Sequence, residues 1–255
     1  MGLAGSLLVL FSLLLLLLPP AWSQPLQLRT VQQNGALAKY GAHDAPAGGL
    51  PGLCTEILRA VEQASPGLQF IGLESRVPLR RLERMLGQGE IDVFFCLLKS
   101  PERLKQWRYV PVPLYRIRHM VAQRADDTTE LRDIQDLVPL SKKKPLLVPQ
   151  GTILASTLAR AGIITAEAPS EREALQMLLL GRTDAVYGQD INLLRNLREA
   201  GLEGRLKLAP VVFAEEAQYL ALSKLVPPAI EQRLTQVLQA LERDGALRVL
   251  AEKYR

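Results

Sequence analysis

The stretch Gly89 to Arg103 reads GEIDVFFCLLKSPER. A glycine stands where a helix would end. Ile91 to Leu98 then runs almost continuously apolar, and Ser100-Pro101-Glu102-Arg103 opens a new segment. An apolar run of this length, bounded by turn signals, predicts a parallel strand buried on both faces. Upstream, Leu79, Leu82, Met85 and Leu86 recur at helical spacing, with Pro78 suited to the first turn and Gly87 and Gly89 to the end. The same unit returns later. Met85-Leu86 precedes Gly89 and Asp92, and Met177-Leu178 precedes Gly181 and Asp184. Both copies read Met-Leu-x-x-Gly-x-x-Asp, and each leads into an apolar run. The first run leads to Arg103 and the second to Asp190. Two similarly built lobes are expected, with this cation and this anion facing each other across a ligand cleft.

The flanking sequence keeps the alternation. Leu26 to Val31 and Leu68 to Leu73 read as strands around a helix opened by Thr55, whose Ile57, Leu58, Val61 and Ala64 share one face. Leu146 to Val148 is a strand, Gln150-Gly151-Thr152 a turn, and Leu154 and Leu158 mark the helix after it. Ser170 and Glu173 have the spacing of a capping box ahead of Ala174, Leu175 and Leu178. Ala185 to Tyr187 is a strand, and Asp190 starts a helix. Strand–helix alternation of this kind places the chain in the α/β class.

The chain has 255 residues, 48% of them hydrophobic and 22% charged, enough for one large or two small cores. The net charge of +5 is spread thinly; its densest run is Lys142-Lys143-Lys144, which reads as a solvated loop. No basic stripe with interleaved aromatics appears, so nucleic acid is not an expected partner. Leu7 to Leu18 is apolar except for Ser12, and Pro19-Pro20 and Ala21-Trp22-Ser23 follow. That run is too short to span a bilayer and fits a signal peptide over residues 1–23, cleaved before Gln24; a retained anchor is the alternative. The expected location is the periplasm, as an exported soluble chain. Cys54 and Cys96 are the only cysteines, and in an oxidising compartment two cysteines suggest one disulfide. Neither they nor the isolated His43 and His119 suit a metal, and no cofactor is expected.

Six stretches, taken in order, resemble the periplasmic solute-binding proteins of polar amino-acid ABC importers. They are Gly49 to Val61, Met85 to Val93, Ser100 to Arg103 with Pro113-Leu114-Tyr115, Gln150 to Thr152, Gly181 to Asp190, and Asp244-Gly245 to Tyr254. The resemblance implies a two-lobe periplasmic-binding-protein fold. Lobe one would comprise 24–115 plus 214–255 and lobe two 120–208, with hinge crossovers at 116–119 and 209–213. It also makes strands one and three neighbours, which would let Cys54 and Cys96 meet as a disulfide. Arg103 matches the arginine that grips a ligand carboxylate, for which a planar guanidinium is suited; a solvated loop arginine is the alternative. Asp190 matches the aspartate that meets a ligand ammonium, with N-capping as the other reading. Gly151 and Thr152 match the turn that adds donors, again alongside capping. Ser100 stands three residues before the arginine, and Tyr40 is a candidate aromatic wall, with core packing as the alternative.

Two departures bear on the ligand. Leu98 stands where polar amino-acid binders place a serine, and Arg76-Val77-Pro78-Leu79 lacks the aromatic that stacks on the ligand side chain. The implied function is capture of a small carboxylate-bearing solute for a membrane-bound ABC permease, by a monomer and without catalysis. Two alternatives use the same fold. One is an exported enzyme like cyclohexadienyl dehydratase, with Glu56, Asp190 or Glu216 as acid or base. The other is a ligand-sensing partner of a membrane receptor.

Overall fold

The computed structural model describes residues 25–41 and 50–255; the signal-peptide reading and most of the 42–52 loop lie outside these. In chain order the strands are β1 (Leu26–Arg29), β2 (Gln32–Gln33), β3 (Leu68–Ile71), β4 (Arg76–Val77), β5 (Val93–Leu98) and β6 (Arg108–Tyr109). Then come β7 (Tyr115–Arg124), β8 (Leu146–Pro149), β9 (Thr165–Ala168), β10 (Val186–Gln189), β11 (Leu206–Leu208) and β12 (Ala214–Leu222). The helices are α1 (Leu37–Tyr40), α2 (Leu53–Ala64), α3 (Leu79–Gln88), α4 (Pro101–Gln106) and α5 (Leu137–Lys143). They continue as α6 (Leu154–Arg160), α7 (Glu171–Leu179), α8 (Asp190–Glu199), α9 (Pro228–Arg243) and α10 (Ala246–Glu252). Among the described residues, no helix is long and apolar enough to cross a membrane.

Two long strands organise the molecule. β7 and β12 pair antiparallel from Tyr115↔Gln218 to His119↔Ala214. Beyond that shared segment they diverge: β12 pairs with β5, while β7 pairs with β10 and β11. The second passage between the two halves is therefore a regular strand beginning at Ala214. β5 is buried along its whole length, as its composition requires, but its ladder partner is the returning β12, antiparallel rather than parallel. The parallel neighbour enters through Asp92, whose amide donates to the Arg29 carbonyl at 2.9 Å.

Side-chain alternation on the central strands builds the far half. Val121, Leu146, Val148 and Tyr187 point into one apolar cluster; Ala122, Leu147 and Val186 point into another on the opposite face. That is the period-2 pattern of a sheet covered on both sides. A third, larger cluster joins β1, α2, α3 and β5 to Leu220, Leu234 and Tyr254 from the C-terminal segment. The polypeptide thus leaves the first core, builds the second and returns.

The repeated Gly-x-x-Asp has one structural role in both halves. Arg29 Nη2 donates to Gly89 O at 2.7 Å and to Asp92 Oδ1 at 2.7 Å. Lys144 Nζ donates to Gly181 O at 3.0 Å and to Asp184 Oδ1 at 3.1 Å. In each half a cation ties the helix-ending carbonyl to the carboxylate that starts the next strand. Burial opposes ionisation of Asp92 and Asp184, but bonds from Arg29, and from Lys144 and Arg124, outweigh it and hold both carboxyls below the usual range. Gly89 and Gly181 have φ of 73° and 70°, a region open to glycine. A Cβ on Gly181 would meet nothing within 4 Å, whereas one on Gly89 would lie 2.3 Å from Leu225 Cδ1. Gly181→Ala should therefore cost about 1 kcal/mol, the backbone term alone. Gly89→Ala should cost about the same, because the exposed Leu225 side chain can swing aside, and urea unfolding of the two variants should show similar losses.

Candidate functional site

A cleft of about 670 Å³ lies between the two halves. Asn34, Lys39, Arg80, Leu98 and Arg103 line it from the first half, and Gln150, Thr152, Glu171, Gln189 and Asn192 from the second. The halves meet at its mouth. Arg80 reaches Glu167 at 3.5 Å, and a Cβ on Gly151 would lie 3.0 Å from Arg80 Cγ.

Arg103 is in the cleft wall, but its guanidinium is already engaged. Nε donates to Glu83 Oε1 at 2.9 Å, Nη2 to the same oxygen, and Nη1 to Leu98 O at 3.0 Å. Glu83, from α3, thus takes the Nε–Nη2 side of the fork. Ser100 caps α4 by accepting from the Arg103 amide at 3.2 Å and does not line the cleft. Gly151 and Thr152 do line it. The Thr152 hydroxyl donates to Pro149 O at 2.9 Å and accepts from Leu154 N at 3.4 Å, which stabilises the turn.

Asp190 is fully buried and lies behind the cleft wall. Its Oδ1 accepts from Arg118 N at 3.1 Å and its Oδ2 from Arg118 Nε at 3.0 Å. It neither faces the cleft nor caps α8, whose capping position is Gln189. The reason is local: β7 passes directly beneath the start of α8 and supplies both donors. Tyr40 is also behind the wall, donating to Phe95 O at 2.7 Å. The two other carboxylates considered for acid–base work lie elsewhere. Glu56 accepts from Tyr254 Oη at 2.7 Å and Lys253 Nζ at 2.8 Å, and Glu216 faces His119 Nε2 at 2.7 Å.

Besides Arg103, two charged side chains in the cleft are buried. Lys39, on the four-residue α1, is buried, and its Nζ donates to Cys96 O at 3.2 Å. That carbonyl is available because Cys96 has φ +63° at an irregularity where the β5–β12 register shifts between Tyr219 and Ala221. Phe95 O, beside it, goes to Tyr40. Cys96 is held in turn by a disulfide to Cys54 in the first turn of α2, with Cα atoms 6.1 Å apart. Glu171 is the first residue of α7, after Ser170, which accepts from Glu173 N at 3.2 Å. Burial pushes the Lys39 ammonium down to about 8; attraction from Glu171 opposes this and repulsion from Arg103 adds to it. Burial pushes the Glu171 carboxyl up to about 7, against Lys39 and the Gln189 amide. Two buried ionisable groups perturbed in one cleft make it a candidate functional site. Among the described residues, no group of three or more His, Cys, Asp or Glu is placed to hold a metal.

No protein-family model and no curated protein matches this chain. Solved structures do match over nearly its whole length. A histidine kinase sensor domain with similarity to periplasmic binding proteins aligns at 18% identity and TM-score 0.76, covering 91% of this chain and 96% of that one. The chain has the periplasmic-binding-protein fold. The GluR0 ligand-binding core in complex with L-glutamate aligns at 16% identity and TM-score 0.73, covering 91% and 99%. An amino acid ABC transporter substrate-binding protein from Streptococcus pneumoniae, bound to L-arginine, aligns at 16% identity and TM-score 0.72, covering 89% and 94%. At these identities the likeness establishes the architecture, and the ligand must be argued from this chain's own cleft.

Proposed function

We propose that this chain is an extracytoplasmic solute-binding protein that captures a small, carboxylate-bearing solute between its lobes and delivers it to an ABC permease. The observation that carries this reading is the cleft itself: about 670 Å³, walled from both halves, with buried charge in each wall. A solute touching both walls favours the closed arrangement over the open one, which is the coupling such a carrier needs. The volume is in the range of small-molecule sites. In this reading Arg103, Gly151 and Thr152 frame the solute, while Ser100, Tyr40 and Asp190 hold the frame from behind. Structural neighbours bound to L-arginine and L-glutamate support a solute of amino-acid size. The likeness to a sensor domain favours keeping a second reading, a ligand sensor for a separate receptor, which differs in partner and not in cleft chemistry.

The test is a thermal-shift and calorimetric panel of L-amino acids, mono- and dicarboxylates. A saturating solute at about 100 times its Kd adds about 2.7 kcal/mol to stability, a readily measured rise. At least one such rise is expected. Silence across the panel, or turnover of an added acid, overturns the proposal. Co-purification of the liganded protein with a permease rather than a receptor kinase separates transport from sensing.

A further inference from the structure

The two charges expected from sequence to read the solute are both already paired inside the protein. Arg103 is occupied by Glu83 and Leu98 O, and Asp190 by Arg118. The other buried charges in the walls are Lys39 from one half and Glu171 from the other, with 8% and 5% of their surfaces exposed; Arg80, Arg172 and Glu173 also line the cleft but are exposed to solvent. Lys39 and Glu171 attract each other, yet no ion pair within 4.0 Å joins them, so a gap separates them. An ammonium has three donors, and among the described residues one of Lys39's is used, on Cys96 O. Glu171 is held in place from behind: it accepts from the Gln189 amide, and its Oε1 lies where a Cβ on Gly188 would approach to 2.8 Å. Only glycine there lets the carboxylate lie against β10. Beside it Asn192, another wall residue, has a buried Oδ1 with no hydrogen-bond partner. The second half thus sets a buried carboxylate, with an unpartnered amide oxygen beside it, in the cleft wall, and the first half a buried cation with unused donors.

The geometry points to Lys39 and Glu171, rather than Arg103 and Asp190, as the pair that reads charge on the solute. The solute is a short dipolar molecule whose anionic end sits on Lys39 and whose nitrogen-bearing end sits on Glu171 and Asn192. An ammonium is a point charge and lacks the planar fork that selects a carboxylate. The anion therefore need not be a carboxylate, and an aminosulfonate is accepted as well as the matching amino acid. This inference rests on the reading of the cleft as a solute site and names the pair that reads the solute's charge.

The experiment is calorimetric titration of the protein with two matched pairs, β-alanine against taurine and 4-aminobutyrate against 3-aminopropanesulfonate, with propionate and succinate as anions lacking the nitrogen. In the wild type, at least one pair should bind with its members within about tenfold of each other, and propionate at least tenfold more weakly. Lys39→Met should weaken that binding by about a hundredfold and Glu171→Gln by about tenfold, each variant first shown folded by circular dichroism. Gly188→Ala retains both charges but displaces the carboxylate, and should weaken the same probes by about tenfold. The inference is overturned if Lys39→Met binds as the wild type does, or if the carboxylate member is preferred more than a hundredfold, the mark of an arginine fork. It is also overturned if succinate binds while all four dipolar probes are silent, an outcome that leaves the solute-binding reading standing. Silence from every probe, here and in the wider panel, removes both.

Discussion

Replacing both cysteines, as Cys54→Ala/Cys96→Ala, should lower the unfolding free energy by about 4 kcal/mol. The bond closes a loop of sequence separation 42, and the chain-entropy cost of leaving such a loop open in the unfolded state is of that size. For a chain of this length the loss corresponds to a fall in Tm of roughly 10 °C. The consequence for the cleft is more specific. The disulfide pins the β5 irregularity at Cys96, and the carbonyl exposed there receives Lys39. Releasing the bond frees that carbonyl to rotate, so solute affinity should fall together with Tm. Differential scanning calorimetry and titration, each with and without a thiol reductant, measure the two effects. A Tm within 2 °C of the oxidised protein would show that the bond contributes little to either.

The difference between what sequence shows and what it hides is clear at this point in the fold. β5, the helix ended by Gly89, and the repeat at Gly181 were legible because apolar periodicity and glycine stops are local signals. The cleft between two lobes followed from the repeat and the resemblance. Arg103 was legible as a wall residue, but its neutralisation was not, because Glu83 lies on α3, 20 residues away, and only packing brings it to the guanidinium. Asp190 is a similar case: its partner Arg118 is 72 residues distant. Lys39 gave no periodic signal, since α1 has only four residues. A lysine flanked by Ala38 and Tyr40 in an otherwise apolar-spaced turn was the available hint. Glu171 carries no spacing signal of its own, whereas Glu173, three residues after Ser170, has that of a capping box. Both positions line the cleft, but only the first is buried there, against β10.

Without solute, the stability of the protein should pass through a minimum between about pH 7 and 8. Glu171 has its carboxyl at about 7 in the fold against an ordinary value of 4.5. Below pH 4.5 folded and unfolded chains both carry the proton. Between 4.5 and 7 only the folded chain does, so raising the pH favours unfolding, by about 3 kcal/mol once the folded group has ionised. Lys39 runs the other way, at about 8 against an ordinary 10.5. Above pH 10.5 both states are neutral. As pH falls from 10.5 to 8 the unfolded chain takes the proton first, and about 3 kcal/mol is lost again. Near neutrality the fold therefore holds two buried charges that do not touch. Asp92 and Asp184 bound the acid side, since their depressed carboxyls stabilise the fold above their ordinary 3.8 and lose that contribution as pH falls further. Glu171→Gln should remove the limb between pH 4.5 and 7, and Lys39→Met the limb between 8 and 10.5. Either variant should be more stable than the wild type at pH 7.5 while binding solute more weakly. That opposition is what separates a binding pair from a structural one: a pair that held the lobes together would lose stability when broken. Urea unfolding of the wild type and both variants from pH 4 to 10 measures it. A loss of stability in Lys39→Met at pH 7.5 would assign the pair to the scaffold, because an ammonium that stabilises the closed lobes without solute has no reason to wait for one.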